Sequence, residues 1–205
     1  MRRPSSAARY CEDRIVRSIF EDQKLTLADG VSRLEAADLN YMLTGSVSMV
    51  RFAMMRMTND IDIVVELTPR DRHKIVSAFS DDYYVPEEKI LGAIERTSMF
   101  NVISQSTLVK IDIVVRKNDA FQRHVFANRE RTSIWDVPLW AIRRDDLILS
   151  KLNWARDTHS ELQMRDIAGI MLHGYDEKYV EEWVLRLDVK DFYEACVKLA
   201  GGGNA

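Results

Sequence analysis

Two aspartates, Asp60 and Asp62, stand at the start of the apolar run DIDIVV at residues 60–65. Because the side chains of a β-strand alternate between its two faces, both carboxylates share one face of a strand at this spacing. Aspartate is disfavoured in strands, and close carboxylates repel each other unless a cation lies between them. A hard divalent ion such as Mg²⁺, which prefers oxygen ligands, would remove that repulsion. The spacing also fits a plainer interpretation, with Asp60 in a solvated turn and Asp62 beginning an edge strand.

A glycine and a serine, Gly45-Ser46, precede these aspartates, between a predicted strand at residues 41–43 and a predicted helix at residues 47–55 that Ser46 could cap. The unpaired N–H groups and the positive dipole end of a helix N-terminus form a natural binding site for phosphate. Gly45 lets the backbone approach a ligand closely, and Ser46 adds a hydroxyl donor. Structural turns use the same two residue types, so the pair alone also fits a turn without a ligand.

A second apolar run, KIDIVV at residues 110–115, has the pattern of the first, so that Asp112 matches Asp62. Both runs have an aspartate followed by apolar residues typical of buried central strands. If the two strands are neighbours, Asp112 completes a cluster of three carboxylates that suits two metal ions about 4 Å apart. The alternative for Asp112 is an acid at the entrance of a strand that pairs with a nearby lysine or arginine.

The remaining pattern predicts a mixed α/β fold, with a mixed β-sheet flanked by helices. Two helices are predicted before the sheet, at residues 14–20 and 26–39, and residues 137–139 are interpreted as a linker that leads to a helix from residue 143. We predict a core with N-terminal helices at residues 1–138 and a C-terminal helical part at residues 139–205.

Composition and charge argue against several classes of protein. The chain has 205 residues, of which 46% are hydrophobic and 30% charged, enough for one sizeable core. A net charge of −3 gives no general attraction to nucleic acid or to an anionic membrane. The sequence has no apolar run long enough for a membrane span and no secretion signal at its start, so we expect a cytoplasmic protein without a membrane partner. The spacing of the cysteines and histidines predicts no zinc site.

Taken together and in this order, Gly45-Ser46, Asp60-Ile61-Asp62 and Asp112 resemble the motif of the nucleotidyltransferase superfamily, which has the DNA polymerase β-like fold. The resemblance covers about residues 40–175. It implies that the three acids bind Mg²⁺, with two ions and with Mn²⁺ as a substitute, and that the Gly-Ser turn holds the phosphates of a nucleoside triphosphate such as ATP. The implied enzyme moves a nucleoside monophosphate to a hydroxyl or phosphate acceptor and releases pyrophosphate.

The segment after residue 143 is similar to the bacterial AbiEii-type branch, which includes toxins of toxin–antitoxin systems. That branch carries a lysine and then an Arg-Asp or Lys-Asp pair on a helical segment, as Lys151 and Arg165-Asp166 do here. The resemblance implies that Lys151 reaches the nucleotide phosphates, that Asp166 lies near the site, and that an antitoxin is a partner. The branch often has a second aspartate where this chain has Gly169. Without the resemblance, Lys151 reads as a surface lysine on an amphipathic helix.

Two further functions stay open at this point. One is a non-catalytic protein of the same fold that binds a nucleotide or a partner protein, and the other is a nucleotidyltransferase that modifies a small molecule such as an antibiotic. Pure binding gives no reason to crowd carboxylates that repel each other without a metal, which favours an enzyme. The acceptor, whether tRNA, protein or a small molecule, does not follow from the sequence.

Overall fold

The computed structural model describes the backbone of residues 6–52, 54, 58 and 60–202, and the side chains of these residues from residue 19 onward. The helices α1 to α9 of this part lie at Ser6–Ala36, Gly45–Ser48, Arg72–Phe79, Glu87–Arg96, Ala120–Ala127, Arg144–Trp154, Glu161–Met171, Glu177–Leu187 and Lys190–Gly201. The strands β1 to β7 lie at Tyr41–Thr44, Asp60–Val65, Tyr83–Tyr84, Met99–Ser104, Lys110–Val115, Glu130–Ile134 and Val137–Ala141. Short 3₁₀ helices at Met49–Phe52 and Pro69–Asp71 follow α2 and precede α3.

The seven strands form one mixed sheet in the order β3-β4-β5-β2-β1-β7-β6. The central strand β2 is parallel to β5 and antiparallel to β1, and β1 is in turn parallel to β7. The outer strands β3, β4 and β6 pair antiparallel with their neighbours. The predicted mixed α/β fold with a mixed, helix-flanked sheet is confirmed.

One face of the sheet packs against α1, α3 and α4. Every second residue of the central strands points into this layer, because the pleat gives side chains a period of two. The buried strand residues here include Leu43, Ile61, Ile63, Val65, Ile111, Ile113 and Val115. Burying each of these side chains stabilises the fold by about 1.5 to 3 kcal/mol.

The opposite face is covered by a second apolar cluster, to which helices α5 to α9 contribute. Met42 and Val64 reach this second apolar cluster from the sheet, and α6 contributes Leu147, Ile148, Leu149 and Leu152. The intermediate residues of β2 on this same face are Asp60 and Asp62, which alternate with Ile61 and Ile63. The C-terminal helices and the acids therefore share one side of the sheet.

Four predictions differ from the structure. The two predicted N-terminal helices are one helix, Ser6–Ala36, because residues 21–25 include no glycine or proline to end it. The predicted linker at residues 137–139 is wrong, since it belongs to strand β7. Ser46 is not a helix cap either, because α2 begins at Gly45 and Thr44 has the N-cap position. Of the predicted helix at residues 47–55, residues 47 and 48 belong to α2 and Met49–Phe52 form a 3₁₀ turn. Residue 54 is not helical, and residues 53 and 55 lie outside the described part of the chain.

The predicted division between residues 138 and 139 falls inside β7, and the C-terminal helices begin at Arg144 with α6. The division into two domains stays a prediction. Across the described part of the chain, no helix combines the length and the apolar character that crossing a membrane requires.

Candidate active site

The three predicted acids come together on one face of the sheet, at the point where β2 and β5 run side by side. The two strands pair in register, with Asp62 opposite Asp112 and Asp60 opposite Lys110. Register partners point to the same face, and neighbouring strands lie roughly 4.8 Å apart. The IDIVV runs of the sequence are thus adjacent strands, and their acids form one row.

Gly45 lies directly against this row. A Cβ atom at residue 45 would be 1.9 Å from Oδ2 of Asp62, so the carboxylate occupies the space that any larger residue would need. The φ angle of Gly45 is +66°, in the left-handed region that glycine adopts without strain. The Gly-Ser turn after β1 therefore forms the wall beside Asp62, with Ser46 buried just behind it.

The surroundings of Asp62 disfavour its charged form. Burial raises its pKa first of all, and the negative charges of Asp112 and Asp60 raise it further. The ammonium groups of Lys151 and Lys110 lower it in part, and the resulting pKa is about 6. Three carboxylates, those of Asp60, Asp62 and Asp112, face two ammonium groups here, and this excess of negative charge favours an additional cation.

Lys110 is the cation already within the row. Its Nζ atom lies 3.2 Å from Oδ1 of Asp60 and 3.0 Å from Oδ2 of Asp112. Burial opposes its charge, but the hydrogen bonds to Asp112 and Asp60 outweigh that effect and raise the pKa of Lys110. The ion pair expected under the plainer interpretation of Asp112 is thus present, alongside the carboxylate cluster.

The donor set fits a hard divalent ion. All three acids offer oxygen ligands, and Oδ1 of Asp112 is a buried acceptor that has no hydrogen-bond partner among the described residues. In the part of the chain that the structure describes, no three side chains converge into a ready metal site. Lys110 instead bridges Asp60 and Asp112. The roles of Asp60, Asp62 and Asp112 as Mg²⁺ ligands stay predictions.

Lys151 and Asp166 meet on the helical side of the site. Nζ of Lys151, on α6, lies 2.9 Å from Oδ2 of Asp166 on α7, and their side chains are only 7% and 4% exposed. Gln163 accepts a second hydrogen bond from Lys151 at 3.1 Å. Lys151 is therefore buried, not a surface lysine, and it is close enough to Asp62 to influence its pKa. Its predicted contact with nucleotide phosphates is untested.

A structural relative supports the fold assignment. An antigenic nucleotidyltransferase-like protein from Paracoccidioides brasiliensis superposes with a TM-score of 0.51 at 12% sequence identity, over 83% of this chain and 90% of that one. The chain has a nucleotidyltransferase-like fold. At 12% identity the likeness concerns the fold alone and does not decide the chemistry of the acid row or the Gly-Ser turn.

Two further structures match over most of the chain. The antibiotic-resistance factor ANT(2'')-Ia has a TM-score of 0.44 at 11% identity, covering 88% of this chain and 90% of that one. JHP933 from Helicobacter pylori has a TM-score of 0.48 at 14% identity, covering 89% and 88%. Both scores are below 0.5, so neither adds to the assignment of a nucleotidyltransferase-like fold. No sequence-family model and no curated protein matches the chain.

Sequence reasoning missed three residues of this site. Lys110 stands two positions before Asp112, and the period of two that paired Asp60 with Asp62 would have placed it on the same face. Thr44 is the register partner of Asp62, and Asn101 is that of Asp112. Both extend the row across the sheet, but their positions follow from strand pairing, which local sequence does not show.

The buried ion pair between Lys151 and Asp166 allows a test of its contribution to stability. Replacing Lys151 with methionine removes the ammonium that lies 2.9 Å from the buried carboxylate of Asp166, so we expect the free energy of unfolding to fall by about 3 kcal/mol. Lys190→Met is the matched control. Lys190 is an exposed lysine of α9 that pairs with Glu194 at 3.6 Å, and its loss should change stability by less than about 0.5 kcal/mol. Urea unfolding of both variants measures the difference, and equal stabilities would contradict a structural role for the pair.

Proposed function

We propose that the protein is a metal-dependent nucleotidyltransferase, which moves a nucleoside monophosphate from a nucleoside triphosphate to a hydroxyl or phosphate acceptor. The observation that carries the proposal is the register of Asp62 with Asp112, which crowds acids on one sheet face beside Gly45. Crowded carboxylates are unfavourable in the resting protein, so a function that uses a bound cation explains their proximity better than a structural role does. The nucleotidyltransferase-like fold supports the same reading.

In this proposal Asp60, Asp62 and Asp112 hold Mg²⁺, and two ions fit a row of three carboxylates. Bound there, the ions would make the acceptor oxygen a better nucleophile and neutralise charge on the phosphates. The acceptor oxygen attacks the α-phosphorus, the bond from that phosphorus to the bridging oxygen breaks, and pyrophosphate leaves. Asp112 accepts the proton of an acceptor hydroxyl.

Gly45, Ser46 and Lys151 would bind the triphosphate. Gly45 has no side chain of its own, so its backbone lies directly against the carboxylate of Asp62, where a phosphate bound beside that carboxylate could reach it. Lys151 enters from the helical side, close enough to Asp62 for its ammonium to lower that pKa. The two groups thus approach Asp62 from different elements, which suits a phosphate chain held between the sheet and the helices.

The narrower form of the proposal is membership of the AbiEii-type branch, with tRNA or protein as acceptor and an antitoxin as partner. The contact between Lys151 and Asp166 supports it, because the lysine and acid of that motif lie together on neighbouring helices. Gly169, where the branch often has a second aspartate, leaves the space that the side chain of Met54 fills here.

Labelled substrates test the function. The full-length protein is incubated with each α-labelled nucleoside triphosphate and Mg²⁺ or Mn²⁺, separately with tRNA, total protein and aminoglycosides. We expect label on one acceptor class, with one pyrophosphate released for each label transferred. A rise in melting temperature with one nucleotide but no transfer to any acceptor would replace the enzyme with a nucleotide-binding protein. Label on an aminoglycoside would favour the small-molecule enzyme over the toxin-like one.

A further inference from the structure

Lys110 lies between two acids of the sheet and forms an ion pair with each of them. It begins β5 opposite Asp60, and its ammonium lies about equally close to two carboxylates, at 3.2 Å from Asp60 and 3.0 Å from Asp112. Its side chain is still 33% exposed, so the ammonium has a path to solvent. Lysine has a long, flexible stem, so it can leave this position without moving the strand.

The position between these carboxylates is also where a divalent ion would bind. An Mg²⁺ ion lies at about 2.1 Å from its oxygen ligands, so an ion held by Asp60 and Asp112 would be in repulsive contact with the Lys110 ammonium. Lys110 does not satisfy every acceptor of the row, because Oδ1 of Asp112 is buried without a hydrogen-bond partner among the described residues. A divalent ion offers twice the charge and could use that oxygen.

We propose that Lys110 is a built-in counter-ion, which takes the place of the divalent ion in the metal-free protein and is displaced when the ion binds. It thereby sets the affinity of the site for metal, since two ion pairs must break before the ion can bind. The inference rests on the metal site of the proposed function and adds the residue that regulates it. Lys110 also stabilises the metal-free fold, because it offsets repulsion between Asp60 and Asp112.

The test measures binding of Mn²⁺ alone to the full-length protein, without nucleotide, from the electron paramagnetic resonance signal of unbound Mn²⁺. Lys110→Met should bind Mn²⁺ on the order of tenfold more tightly than the wild type, because no ammonium has to leave. Its melting temperature without metal should also be lower. Lys24→Met is the control. The side chain of Lys24 is 34% exposed, close to the value for Lys110, and its Nζ atom lies 3.5 Å from Oδ2 of Asp136, which does not belong to the acid row. This variant should match the wild type in both measurements.

Lys110→Arg tests the same idea without removing the charge. Arginine pairs with carboxylates through several N–H groups and holds its charge at any accessible pH, so Mn²⁺ should bind more weakly than in the wild type. This variant keeps the inference testable if Lys110→Met does not fold. Unchanged or weaker Mn²⁺ binding by a folded Lys110→Met, tighter binding by Lys110→Arg, or no Mn²⁺ binding by any of the proteins would overturn the proposal.

The two proposals fail separately. Because the Mn²⁺ measurement contains no nucleotide, a protein that transfers no label can still show the effect of Lys110, and then only the reaction is wrong. Transfer of label together with Mn²⁺ binding that is insensitive to Lys110→Met would leave the reaction in place and refute the counter-ion.

Discussion

Replacing Asp62 with asparagine is expected to lower nucleotide transfer by about a thousandfold while making the metal-free protein more stable. Asparagine keeps the shape of the side chain but loses the carboxylate at the centre of the acid row, and losing several kcal/mol of transition-state stabilisation has this effect on rate. Initial rates with α-labelled nucleotide measure the first change. The second change follows from the pKa of Asp62.

The pKa of Asp62 rises from an ordinary 3.8 to about 6 in the folded protein. The folded state therefore binds the proton more tightly than the unfolded chain does, so the stability from this group is full below pH about 4 and is lost as the pH rises through 6. Asparagine cannot ionise. We expect Asp62→Asn to be more stable than the wild type by about 1 to 2 kcal/mol at pH 8, and the gain to shrink towards pH 4.

Asp136→Asn is the matched control for this experiment. Asp136 lies in the turn between β6 and β7 with its side chain 97% exposed, and its φ of 65° suits asparagine. The control should keep wild-type rates and stability. Wild-type turnover by Asp62→Asn would refute the active site, whereas a less stable Asp62→Asn at pH 8 would contradict the raised pKa that burial and the neighbouring acids give Asp62. Urea unfolding in the presence of a chelator measures the stabilities.

Gly45→Ala should impair both folding and catalysis. The added Cβ would lie 1.9 Å from Oδ2 and 2.6 Å from Cγ of Asp62, so the carboxylate must move, and the φ of +66° adds backbone strain. We expect the free energy of unfolding to fall by about 2 to 4 kcal/mol. Turnover should fall by about a hundredfold, since a displacement of about 1 Å of a catalytic group has this effect.

Gly174→Ala separates the two causes. Gly174 has a φ of +80°, and its added Cβ would meet no atom within 4 Å, so this variant suffers the backbone strain without the collision. It should lose about 1 kcal/mol of stability and keep its turnover. Thermal and urea unfolding compare the two variants. If Gly45→Ala loses no more than Gly174→Ala, the contact between Gly45 and Asp62 does not constrain the site.

The local sequence pattern was sufficient to predict the central strands β2 and β5, but it was insufficient to predict strand β7. The alternation in DIDIVV and KIDIVV predicted β2 and β5, because the pleat imposes a period of two. Strand β7 was missed since Pro138 interrupts its pattern. Pro138 is the second residue of β7, where the start of a strand tolerates a residue without an N–H. It lies opposite Ser133 of β6, and β7 pairs with β1 only further along, at Ala141.

The candidate site was predicted in part for the same reason. Asp62, Asp112 and Gly45 could be found because each stands beside a strongly patterned apolar segment. The pairing of Lys151 with Asp166 depends on how α6 and α7 pack, which sequence spacing does not determine. The sequence shows Lys110 two residues before Asp112, but it does not show that Lys110 also pairs with Asp60 on the neighbouring strand β2.

Strand β7 also limits how small a working version of this protein can be. The backbone N–H of Ile142, just after β7, donates to the carbonyl of Leu43 at 2.9 Å, and Leu139 and Ala141 are buried in the layer that supports β1. A fragment that stopped at residue 138 would retain every acid of the row. It would nevertheless leave β1 as an uncovered edge strand, open to pairing with other molecules, and Gly45 directly follows that strand. The minimal unit that holds Gly45 against Asp62 therefore extends at least to Ile142.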